Sequence, residues 1–158
     1  MGKTTTAINL GASVAAAEQK TLIIDNDPQG NTTSGLGFPK DPARRTLYHT
    51  LILEEPLNRV IIPTQVEGLD LIPSDKNLVG AAVELVNMEN REFKLRAIME
   101  KIRPDYKYVL IDCPPALDLL TINALAASDS VLVPIQCEYL ALEGVSELLD
   151  TLMRLRRT

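Results

Sequence analysis

Apolar residues in this chain keep two different rhythms. Thr21 to Ile24, closed by Asp25, and Tyr108 to Ile111, closed by Asp112, are short runs without a charged interruption, as is Ser130 to Ile135. Such runs predict strands buried on both faces of a parallel sheet. Elsewhere the spacing is helical. Ile8, Ala12, Ala15 and Ala16 predict a helix over Thr4 to Gln19. Ser74 or Asp75 can cap another that runs to Asn87, with Leu78, Ala82, Leu85 and Val86 on one face. Further helices are predicted over Phe93 to Ile102, over Leu117 to Ala127 and over Leu142 to Leu155. Thr46 to Leu53 reads as a short helix, and Val60 to Ile62 and Leu69 to Ile72 as short strands around a Glu67-Gly68 turn. The segment 26–45, rich in Gly, Pro, Asn and Asp, reads as a loop or broken helix. Strands alternating with helices predict an α/β fold: a parallel sheet covered by helices on both faces, in one domain over residues 1–158.

Ligands of such sheets bind at the carboxyl ends of the strands. Three predicted strand ends carry polar chemistry: Asp25 to Asp27, Asp112, and Gln136 to Glu138. The chain opens Gly2-Lys3-Thr4-Thr5 directly before a helix, the second half of the phosphate-binding pattern G-x-x-x-x-G-K-[ST]. In that pattern main-chain amides cradle phosphates, the Lys reaches the β/γ-phosphates and the Thr hydroxyl coordinates Mg2+. Each segment also has a plainer reading. G-K-T can be a chance tripeptide ahead of an ordinary helix, Asp25 and Asp27 can open an Asx turn before Pro28, and Asp112 can close a strand. Their occurrence in this order favours a phosphate and metal site, with Asp27 or Asp25 near an attacking water and Asp112 holding Mg2+.

Composition adds limits. At 158 residues, 46% hydrophobic and 23% charged, the chain is ordinary for a soluble globular domain. Its most apolar stretches are too short to cross a bilayer, and no secretory leader pattern opens it. Cys113, Cys137 and the single His49 form no zinc or disulfide pattern, so reduced thiols in a cytoplasmic protein are expected. A net charge of −5 argues against a chain-wide nucleic-acid surface. Arg154, Arg156 and Arg157 read as a charge-complemented helix end.

Taken together, GKTTTAINLGAS, IIDNDPQGNTTSGLG, LVGAAVELV, YVLIDCPPALDLLTINALAASD and VLVPIQCEYLALEGVSELL resemble the ParA/Soj chromosome-partitioning ATPases. These form a deviant-Walker P-loop class whose wider kin include the division regulator MinD. The resemblance covers essentially the whole chain. It implies that Gly2, Lys3, Thr4 and Thr5 contact the phosphates of ATP and that Thr4 and Asp112 serve Mg2+. It further implies that Asp27 positions the hydrolytic water beside the switch-region acid Asp25, with Lys3 also in the catalytic set. Cys113 is typical of the motif and is given no catalytic role. An ATP-driven homodimer that binds DNA without sequence specificity, a ParB-type partner that stimulates hydrolysis, and a cytoplasmic, nucleoid-associated location follow from the same resemblance. No membrane is implied.

The family loop reads K-G-G-V-G-K-T-T; this sequence contains only G-K-T-T, with Met1 in place of Val. A GTG codon encodes Val or marks a start, so a start assigned at that codon, or a truncation to it, is expected. The lysine that reaches the partner's nucleotide and the strand before the loop are then both missing. About five buried aliphatic side chains at ~1.5–3 kcal/mol each are worth roughly 7–15 kcal/mol, the whole stability of a typical domain. Marginal stability and open strand edges are the expectation. Family members also continue past the last helix, into parts that supply the adenine pocket and DNA contacts. Two alternatives stand beside the ATPase: a hydrolysis-dead remnant or partner-binding module, and, ranked last, a MinD-like membrane regulator.

Overall fold

In the computed structural model, which describes residues 2–135 and 141–155, everything is organised around one strand. This is β1 (Thr21–Asp25), buried along its whole length. It pairs in parallel with β3 (Leu69–Ile72) on one side and β4 (Tyr108–Asp112) on the other, and β2 (Ile62–Pro63) adds an antiparallel edge to β3. The order is β2-β3-β1-β4. The sheet is therefore parallel-dominated, with a hairpin edge where the Glu67-Gly68 turn was expected. Gly68 permits that turn at φ +79, and Pro63 sits on the edge strand, where a missing N–H is tolerated.

Alternation along β1 sends side chains to two cores. Ile23, with Leu69 and Leu71, packs under helix α1 (Lys3–Ala16) through Ala15 and Ala12. Leu22, Ile24 and Ile72 face the other way, into a larger core with α3 (Leu47–Leu51), α4 (Leu78–Leu85), α5 (Lys94–Ile102) and α6 (Leu119–Ala127). Both faces are thus covered by helices, as the alternation predicts. α1 lies close because residue 11 is glycine: a Cβ there would stand 2.6 Å from Ile23 Cδ1.

The loop after β1 contains a short helix, α2 (Asn31–Gly35), and the chain's last described helix is α7 (Ala141–Leu155). Helix α4 opens at Leu78 rather than near Ser74. The Asp75 carboxylate is spent on the main-chain and side-chain N–H groups of Asn77, which makes a turn first.

One expected strand is absent. Val131 to Ile135 has no regular structure and is largely exposed, Leu132 at 67%. A buried-strand composition becomes a strand only beside a partner, and among the described residues β4 is an edge of the sheet with no strand paired on its outer side. The expected strand end at Gln136 to Glu138, Cys137, Arg156 and Arg157 lie outside the described residues. No helix among the described residues is long and apolar enough to cross a membrane.

Candidate functional site

The register of β1 and β4 pairs Asp25 directly with Asp112, so two carboxylates leave the sheet side by side. Helix α1 begins beside them. Its N-cap, Gly2, is in the left-handed conformation at φ +92, no side chain caps the helix, and a Cβ on Gly2 would meet nothing within 4 Å. Helix geometry leaves the first-turn amides of Lys3, Thr4 and Thr5 without carbonyl partners. They and the helix dipole suit an anion.

Thr4 Oγ1 donates to Asp112 Oδ2 at 2.8 Å, joining residues 108 apart in sequence. Thr32, fully buried on α2, donates to the same oxygen at 2.6 Å. Lys3 lies near enough to Cys113 for its charge to act on the thiol. Burial nevertheless pushes that thiol up to about 12; the Asn26 side chain and Lys3 pull it down, Asp112 and Asp118 push it further. At neutral pH Cys113 therefore stays a protonated thiol.

Asp25 is fully enclosed. Oδ2 accepts the Thr33 amide at 2.8 Å and the Thr33 hydroxyl at 2.7 Å, and Oδ1 accepts the Asp27 amide at 3.2 Å. Burial raises its pKa from 3.8 to about 6; the Thr33 and Asp27 donors oppose the rise and the charge of Asp112 adds to it. Asp27 Oδ1 accepts the Gln29 amide at 2.9 Å. Its main-chain oxygen closes the turn by accepting the Gly30 amide. The geometry therefore brings Thr4, Asp112, Asp25 and Asp27 to one end of the sheet, with Lys3 and Thr5 in the adjoining helix turn.

Thr32, Thr33 and Ser74 belong to the same network and do not announce themselves in the sequence. Their contacts reach across 80 residues (Thr32 to Asp112) and 41 residues (Ser74 to Thr33). The one local signal was three consecutive hydroxyls, Thr32 to Ser34, following the DPQGN loop.

No group of three or more His, Cys, Asp or Glu is assembled as a metal cage among the described residues. One carboxylate beside one hydroxyl is a donor set that fits Mg2+, which keeps its waters and is shared with substrate phosphates. An open cleft of about 470 Å3 on α5, lined by Phe93, Lys94, Arg96 and Glu100 among others, includes none of these residues.

A parallel α/β sheet with two acids at adjoining strand ends, beside the bare start of a G-K-T-T helix, defines a P-loop ATPase fold. The chain belongs to the AAA domain family, which matches residues 1–158. Among curated proteins it is 53% identical over 152 residues to the chromosome partitioning protein ParA of Myxococcus xanthus, covering 96% of this chain and 54% of that protein. It is 50% identical over 151 residues to the sporulation initiation inhibitor protein Soj of Bacillus subtilis, covering 96% and 60%. The resemblance to ParA/Soj proteins stands, and the chain spans between half and three-fifths of the length of these relatives. A solved structure, cobyrinic acid a,c-diamide synthase from Mycobacterium smegmatis with bound ATP analog and magnesium, superposes with a TM-score of 0.93 at 35% identity, covering 99% of this chain and 64% of that one.

Proposed function

We propose that this chain carries the nucleotide site of a ParA/Soj-like partitioning ATPase, binding ATP with Mg2+ and acting with a ParB-type partner. A homodimer on nonspecific DNA belongs to the same reading. The observation that carries it is the Thr4–Asp112 hydrogen bond, which sets a hydroxyl and a carboxylate together at the start of the phosphate-binding helix. In this reading Lys3 and the amides from Gly2 to Thr5 hold phosphate oxygens. Thr4 and Asp112 would hold the metal. Bound Mg2+ neutralises charge developing on the phosphates. Asp27, its Oδ1 fixed by the Gln29 amide, orients the attacking water with Oδ2. Asp25 braces the loop from inside rather than facing the ligand.

A thermal melt of the chain with and without millimolar Mg·ATP, beside Lys3→Ala, tests this. A ligand at ~100 times its Kd adds ~2.7 kcal/mol, several degrees for a domain of this size. A rise that Lys3→Ala abolishes is expected. A wild-type melt unmoved by Mg·ATP overturns the reading. It would favour the hydrolysis-dead, partner-binding alternative, for which the exposed apolar run Val131 to Ile135 speaks.

A further inference from the structure

A buried chain of hydrogen bonds runs from just past the end of β3 to the main-chain amide of Asp27. The Ser74 amide, just past the end of β3, donates to Thr33 Oγ1 at 2.9 Å. A hydroxyl has one proton to give. Since Ser74 N–H can only donate, the Thr33 proton goes to Asp25 Oδ2, at 2.7 Å. Asp25 in turn accepts the Asp27 amide through Oδ1. Thr33 is 3% exposed and Ser74 6%, so both bonds lie away from bulk solvent. The loop has little slack. Gly30 takes φ +65, and a Cβ on it would stand 3.2 Å from the Ser74 carbonyl oxygen. The main chain on either side of Asp27 is thereby pinned to β3 as well as to β1.

We propose that Thr33 is a positioning residue for Asp27: its hydroxyl links the end of β3, through the Asp25 carboxylate, to the main chain that sets the Asp27 side chain. The catalytic meaning of this link rests on the role given to Asp27 above; the link itself does not. Thr33→Val keeps the shape and the Thr33 amide bond to Asp25 and removes only the hydroxyl. Thr33→Ser restores it, and Thr33→Ala serves if valine prevents folding.

Amide hydrogen exchange of the unliganded protein, followed by nuclear magnetic resonance, decides the matter. In Thr33→Val or Thr33→Ala, exchange at Asp27 and Ser74 should accelerate about tenfold, the scale of one lost hydrogen bond to a charged group. Protection at Ile23 and Leu110 should be unchanged, and Thr33→Ser should match wild type. Unchanged protection at Asp27 overturns the proposal. So does a Thr33→Ser protein as exposed at Asp27 as Thr33→Val, which would reduce the threonine to packing. Where wild type turns over Mg·ATP, Thr33→Val should lower kcat and leave KM nearly unchanged, and an equal loss in KM overturns the positioning role. A wild type that ignores Mg·ATP defeats the ATPase reading, and the exchange pattern still rules on the relay.

Discussion

Asp25 enters the folded state at an electrostatic disadvantage. Its carboxyl titrates near 3.8 in the ordinary case and near 6 once buried. Between those values the folded state holds a proton that the unfolded chain has released, so this group's stabilising contribution is full below pH 3.8. It is lost as pH rises through about 6. The difference amounts to about 3 kcal/mol at most. Urea titrations at pH 4.5 and 7 should show wild type losing stability relative to Asp25→Asn across that interval; parallel pH profiles would refute the assignment. Cys113 makes a second residue-level prediction. With its thiol held near 12, in a Cys137→Ser background it should react with iodoacetamide at pH 8 at least about tenfold more slowly than an unperturbed thiol. Unfolding in guanidinium should abolish the difference.

The elements show where sequence pattern is sufficient and where it is not. β1 and β4 read directly as apolar runs closed by acids; β1 is covered on both faces as that composition predicts, while β4, at the sheet edge, is only half-buried. Val131 to Ile135 has the same composition and no strand, because pairing is a property of two segments and pattern is a property of one. Its side chains and the β4 edge remain open among the described residues, a known route to association. Light scattering across a concentration series should show self-association that Leu132→Lys reduces without altering the melt. Helix α1 depends on a single absent side chain. Gly11→Val drives methyls into Ile23 and Leu110, and overpacking of this kind costs about 1–3 kcal/mol, readable as a lowered urea midpoint.

For the whole molecule, the acids of the site were visible in the sequence and the hydroxyls that hold them were not. Asp25, Asp27 and Asp112 stand at strand ends, a position that pattern reveals. Thr32, Thr33 and Ser74 acquire meaning only when α2, β3 and β4 converge. The phosphate-loop pattern and the resemblance to ParA/Soj proposed the roles of Lys3 and Thr4, and the fold supplied the proximity of Thr4 to Asp112. The five-pair register between β1 and β4 has a consequence for how such a chain changes over time. A one-residue slip of β1 would separate Asp25 from Asp112 and turn Leu22, Ile23 and Ile24 toward the wrong cores together. Folding alone therefore guards the spacing of the acids. A lineage that ceased to use them chemically would keep positions 25 and 112 side by side for as long as it kept the sheet, while burial works against an acid at position 25, so the pairing records the fold and the retained acid records its use.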